Sequence, residues 1–339
     1  MKTNKIYYKH LGPRGLFNQV LSLETAVGIQ HKTNTDIIFY DDDKMFWMNK
    51  PSSYDQKYGD MICQQTTQKI YDIFKWDSQD KFIFDYDITE NSLLNIDKHD
   101  MTNIFLVDKN KNIDSIDEFA GTRYPIYFDG SDINLTNTLV CYSYFFYHRD
   151  LELDKKIASV SAKKEYKDLA KKIADSLGDF DGIHLRLTDF AIYVYRVTTE
   201  MFNEAISSFN SGRKIVISTD DADNPMLKNL GTSAIFLDKY IYENFFDDFK
   251  SLPINDEIVF GLINNLVMHY AKDFIGTPGS SYTSYIQKNR VNMGLDPTWK
   301  FFNNLNYKKT GKYSWTRYPI ADNAKGWWRE WEECLLIKS

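Results

Sequence analysis

Apolar positions along the chain alternate between two periods. KIYYKH at Lys5–His10 and DIIFY at Asp36–Tyr40 are short apolar runs of strand length. Between them, Leu16, Val20, Leu23 and Val27 recur at helical spacing, which predicts a helix starting near Leu16. NIFLVD from Asn103 reads as a further strand. In the second half, Tyr166, Leu169, Ile173 and Leu177 mark a helix, GIHLRL a strand, and Thr198 to Phe209 a second helix. KIVIST at Lys214–Thr219 has a continuous apolar centre, as in a strand covered on both faces. SAIFLD from Ser233 is another strand, Ile258, Leu262 and Leu266 space a helix, and DFIGTPGSS leads from a strand into a helix through Ile286. Strands alternating with helices predict an α/β protein with parallel sheet and right-handed crossovers.

At 339 residues the chain is long for a single core, and two domains are expected. The irregular polar stretch from Leu151 to Ala162 marks the boundary. The division read here is 1–155, 156–300 and a tail 301–339. In that tail, Trp327, Trp328 and Trp331 are expected to dock a final helix on the core. The net charge of -6 disfavours broad binding to nucleic acid or an anionic membrane. The three cysteines, Cys63, Cys141 and Cys334, form no CxxC pair, which argues against a structural zinc and for a reducing compartment. No apolar stretch reaches the roughly 20 residues of a membrane span. The opening MKTNKIYYKH lacks a secretory apolar core, so a cytoplasmic location is expected.

Three stretches could carry chemistry. GPRGLFNQ, Gly12 to Gln19, places glycines between a strand and a helix, where free N–H groups suit a phosphate or a sugar hydroxyl. An ordinary strand–helix turn would read the same way. In DGIHLRLTDF, a continuing strand puts His184 and Arg186 on one face. Arg186 offers a planar fork matched to phosphate oxygens, and Asp189 could orient it. A local ion pair of structural value fits as well. In DFIGTPGSSYTSY, Ser280, Ser281 and Thr283 open a helix, and hydroxyls with free N–H groups there form an anion cradle. A plain N-cap is the alternative.

In order and spacing, these stretches resemble the three peptide regions of the GDP-fucose-dependent fucosyltransferases, which include protein O-fucosyltransferases, α-1,6-fucosyltransferases and nodulation fucosyltransferases. GPRGLFNQ resembles the N-terminal glycine-rich loop and HLRLTDF the HxRxxD region. IVISTDDADNPMLKNL resembles the strand ending in Thr-Asp-Asp, and DFIGTPGSSYTSYI the third region.

The resemblance implies a GT-B fold, two Rossmann-like domains facing across a cleft. It implies inverting transfer of fucose from the donor substrate GDP-fucose to a glycan acceptor, with no metal and no separate cofactor. Arg186 would hold the β-phosphate, His184 would sit by the nucleoside, and Asp189 would support the site. Ser280, Ser281 and Tyr282 would line the diphosphate. Asp220 or Asp221 would lie near the nucleotide. Asn18, with the backbone of Gly15, would reach across from the first domain. Two positions depart from the pattern. Asn264 and Asn265 stand where the family places a guanine-reading Asp, and the N-terminal loop has no acidic residue to act as general base.

Two other classes fit parts of the chain. YDDDK and STDDADN resemble the Asp-x-Asp of metal-dependent GT-A glycosyltransferases. A non-catalytic carbohydrate-binding protein of the same fold would keep the architecture without turnover.

Overall fold

The computed structural model of the chain describes residues 160–188, 197–209, 212–228, 230, 234–277 and 280–295. In the first half it describes 5–10, 36–40, 70–76, 79, 82–85, 103–104, 126–128, 139–143 and 146–148, and helical positions 16, 17, 20, 23, 27 and 30.

The described strands of the first half are β1 (Lys5–His10), β2 (Asp36–Tyr40), β3 (Phe74–Lys75), β4 (Phe82–Asp85), β5 (Asn103–Ile104), β6 (Ile126–Phe128), β7 (Leu139–Ser143) and β8 (Phe146–His148). Five of them form a parallel sheet in the order β4-β2-β1-β7-β5. Strands β6 and β8 pair separately, also in parallel. The helix expected from Leu16 is present, and Val20, Leu23 and Val27 are fully buried along it.

The second half holds β9 (Ser161–Ala162), α1 (Lys164–Leu177), β10 (Phe180–Leu185), α2 (Thr199–Ser208), β11 (Lys214–Thr219), β12 (Ala234–Phe236), α3 (Leu237–Lys250), α4 (Glu257–Met268), β13 (Asp273–Gly276) and α5 (Ser281–Asn292). Its sheet is parallel throughout, in the order β12-β11-β10-β13. Both faces are covered. Phe180, Val216 and Phe274 join one core with Ile173, Ile241 and Ile263, whereas Ile183, Ile217 and Ile275 join another with Phe202 and Leu227. Each fully buried side chain of this kind contributes roughly 1.5–3 kcal/mol, so the continuous apolar centre of KIVIST follows from its place inside the sheet.

The expected boundary at 155/156 lies outside the described residues. Close after it, β9 pairs antiparallel with β3, and the Lys163 N–H donates to the Ile73 carbonyl at 2.9 Å. The polar stretch therefore ends in a strand that returns to the first half. A second tie is Phe17, whose ring meets Tyr282 edge-on at 5.0 Å and Tyr285 at 5.1 Å. The tail 301–339, with its tryptophans, lies outside the described residues.

Candidate active site

From β10 the chain steps outward through β11 to β12, then returns to place β13 on the other side of β10. The switch point therefore falls between β10 and β13, and a crevice at the carboxyl ends of strands so arranged is where open α/β sheets bind ligands. The sequence puts His184 and Arg186 at the end of β10, Asp220 and Asp221 after β11, and Thr277, Ser280, Ser281 and Tyr282 after β13.

Strand β10 ends at Leu185, where its register with β11 closes on Thr219. Pairing with β13 ends earlier, at His184 opposite Gly276. Arg186 thus lies beyond the strand and does not share a strand face with His184, contrary to the expectation from alternation. The reason is local. Thr277 Oγ1 donates to the His184 carbonyl at 3.0 Å and accepts from the Arg186 N–H at 3.0 Å, so a side chain takes over where the ladder stops. The next two amides turn to Asp220. Its carboxylate accepts from the Leu187 N–H at 2.6 Å, from the Thr188 N–H at 3.4 Å and from the Thr188 hydroxyl at 2.6 Å. Asp221 organises its own turn, accepting from Asn224 Nδ2 at 3.0 Å.

His184 is buried. Its Nδ1 lies 2.7 Å from Thr283 Oγ1, and its ring stacks on Tyr282 with centroids 4.4 Å apart. Burial, reinforced by the nearby Arg186 charge, lowers its pKa to about 3, so the imidazole is neutral. The Tyr282 hydroxyl lies 3.2 Å from Ser218 Oγ, and burial pushes its phenol well above the usual range. Gly276 makes this approach of α5 feasible. A Cβ there would fall inside contact distance of the Thr283 side chain, which carries the hydroxyl that meets His184. Ser280 is fully buried just before α5, and Ser281 is that helix's first residue.

A cavity of about 580 Å³ opens beside this junction, within the usual small-molecule range of roughly 300–1,000 Å³. Arg186, Leu187, Val197, Thr198, Asn224 and Met226 are in its wall. The structure therefore brings together Arg186, His184, Asp220, Asp221, Ser280, Ser281 and Tyr282 around the ends of three adjacent strands. Gly15, Asn18 and Asp189 lie outside the described residues. The sequence singles out Thr283 as a helix-opening hydroxyl, and the structure sets it against His184 instead, whereas Thr277, Ser218 and the wall residues Val197 and Met226 are not singled out by the sequence. The only signal for Thr277 was its place directly after the FIG run.

The two asparagines at the departing positions face inward. Asn265 Nδ2 donates to the Tyr282 carbonyl at 3.0 Å, and its Oδ1 lies 3.0 Å from His269 Nε2. Asn264 Nδ2 donates to the Phe260 carbonyl at 3.0 Å. Among the described residues no group of three or more His, Cys, Asp or Glu side chains converges as a metal site requires, and no helix is long and apolar enough to cross a membrane.

By its sheets the chain is an α/β protein with two parallel, Rossmann-like sheets. No family model matches its sequence, and no curated protein does. In fold it is similar to the fucosyltransferase NodZ from Bradyrhizobium, at 12% identity and a TM-score of 0.46, over 85% of this chain and 93% of that one. It is similar to an Arabidopsis thaliana FUT1 mutant in complex with GDP, at 9% identity and a TM-score of 0.45, over 85% and 68% of the two chains. It is also similar to POFUT1 in complex with GDP, at 12% identity and a TM-score of 0.44, over 89% and 99%.

Proposed function

We propose that the chain is an inverting, metal-independent glycosyltransferase of GT-B arrangement that transfers fucose from GDP-fucose to a glycan hydroxyl. The reading rests on one observation. The matched second and third regions and the Thr-Asp-Asp strand meet at the carboxyl ends of β10, β11 and β13, where Arg186 stands in the wall of the cavity. Breaking a glycosyl–phosphate bond leaves negative charge on the departing diphosphate. A fixed guanidinium and the donors at the start of a helix stabilise that charge without a metal.

In this reading Arg186 holds the β-phosphate, and Ser280, Ser281 and Tyr282 line the diphosphate. His184 contributes a neutral aromatic wall near the nucleoside. Asp220 and Asp221 shape the nucleotide side through the loops they hold, and Asp189 supports Arg186. Gly15 and Asn18 reach the sugar from the first domain, residues 1–155, while residues 156–300 bind the donor and 301–339 pack back on the core. The acceptor is a glycan. Its hydroxyl attacks the sugar carbon from the face opposite GDP and loses its proton late in the reaction or to a base outside the N-terminal loop.

A thermal-shift series with GDP, UDP, ADP and CMP tests the donor, because preferential binding to the folded state raises Tm. GDP is expected to give the largest shift, and GDP-fucose turnover is expected to continue in EDTA. A larger shift with UDP would reassign the donor. Turnover abolished by EDTA would favour the metal-dependent reading of the Asp-rich stretches.

A further inference from the structure

Three successive amides, those of Arg186, Leu187 and Thr188, are held by side chains from two neighbouring strand ends rather than by backbone. Thr277, after β13, holds the first, and Asp220, after β11, holds the next two. The residue in the middle of the proposed phosphate site is thus fixed from both sides. We propose that Thr277 is a positioning residue for Arg186, its hydroxyl setting the point at which the chain leaves β10 and hence where the guanidinium meets a diphosphate. The inference rests on the reading of Arg186 as the diphosphate-binding group.

The chemistry of the hydroxyl is what the position requires. It must donate to the His184 carbonyl and accept from the Arg186 N–H at the same time, and among uncharged side chains of this size only a hydroxyl does both. Thr277 is fully buried, so water cannot replace it without rearrangement. Valine has the same shape but would leave a buried carbonyl and a buried N–H without their partner. Serine keeps both hydrogen bonds. Asp220 cannot compensate, because its carboxylate is bonded to the following two residues. Freed of Thr277, the chain between His184 and Leu187 can rotate about Arg186, and a displacement of about 1 Å in a charge-stabilising group costs on the order of a hundredfold in rate.

The test is calorimetric titration of the full chain with inorganic pyrophosphate and with GDP, using wild type, Thr277→Val, Thr277→Ser, Arg186→Ala and the Arg186→Ala/Thr277→Val double variant. Thr277→Val is expected to weaken pyrophosphate binding about tenfold, with an unchanged circular dichroism spectrum. Thr277→Ser should restore binding to within about threefold of wild type. Adding Thr277→Val to Arg186→Ala should change nothing further, since the effect runs through the guanidinium. Wild-type affinity in Thr277→Val overturns the proposal, as does an equal further loss in the double variant. Pyrophosphate binding that follows this pattern without preference for GDP supports the clamp while removing the guanine-nucleotide reading. Absence of pyrophosphate binding in the wild type removes both.

Discussion

Tyr282 lies nearly flat against His184, with the ring planes 22° apart and the centroids separated by 4.4 Å. The stack joins the first turn of α5 to the last residues of β10, and the Tyr282 hydroxyl adds a contact to Ser218 at 3.2 Å on β11. The same ring also meets Phe17 in a T-shaped contact, with the centroids 5.0 Å apart. One side chain thus ties the ends of β10 and β11 to the N-terminal helix. Tyr282→Phe keeps both ring contacts and loses one hydrogen bond, which costs about 1 kcal/mol. Tyr282→Ala is expected to cost about 3–5 kcal/mol. Urea unfolding curves of the two variants measure the difference. Equal stabilities would mean that the ring contacts contribute nothing.

Arg186→Ala should lower transfer from GDP-fucose by at least about a hundredfold, because one preorganised donor to a developing charge is worth about 10²–10³ in rate. Since Arg186 lies beyond the strand and is only partly buried, the fold should persist. Steady-state turnover beside a thermal melt separates the two effects. Near-normal turnover in a folded variant would remove Arg186 from the leaving-group role.

Acid should destabilise the protein through its buried histidines. His184 and His269 both have pKa values lowered to about 3, chiefly by burial, with Arg186 and Arg290 respectively adding to the effect. The unfolded chain takes up protons near the ordinary value of 6.5, while the folded chain does not. Stability is therefore complete above about pH 6.5 and falls as the pH drops from there towards about 3. Asp181 acts in the opposite sense. Burial raises its pKa against the pull of Arg213, 2.8 Å away, so the folded state holds that proton more readily. Two histidines against one carboxylate leave a net loss across the histidine window. Tm measured from pH 8 to pH 4.5 should fall, and His269→Gln should flatten the slope. A Tm independent of pH would contradict neutral burial of these rings.

Arg290 is the largest fully buried side chain described, and its guanidinium holds the turn between α4 and β13. It donates to the carbonyls of His269 at 3.3 Å, Ala271, and Lys272 at 3.3 Å, and lies over the Phe274 ring. A buried acceptor that loses its donor costs about 1–3 kcal/mol, so Arg290→Met should destabilise by at least about 3 kcal/mol in a denaturant titration. A loss under 1 kcal/mol would show that these carbonyls find other donors.

Periodicity located α1, α2, β11, α4 and β13 to within a few residues, because each element has one apolar period set by a sheet or helix face. It extended β10 two residues too far, to Leu187. An alternating pattern cannot tell a ladder rung from a residue whose N–H is taken by a side chain 91 positions away. Asn264 and Asn265 show a related limit. The sequence displays two amides where a carboxylate is expected, but their use as internal braces of α4 and α5 depends on contacts with Phe260, His269 and Tyr282. His184 was legible as a polar residue at a strand end, whereas its neutrality follows chiefly from burial, and Tyr282 and Thr283, which pack against it, come from far along the chain.

The placing of β13 beside β10 also fixes when the site can exist during synthesis. Thr277 is made 93 residues after the His184 carbonyl it holds, a delay on the order of ten seconds at ordinary translation rates. Throughout that interval the β13 side of β10 is an open edge, rich in buried-type residues and able to pair with a neighbouring nascent chain. A chain that terminates before Asp273 carries Arg186 but no strand to seat it. Early termination therefore yields a sticky half-sheet rather than a weak enzyme.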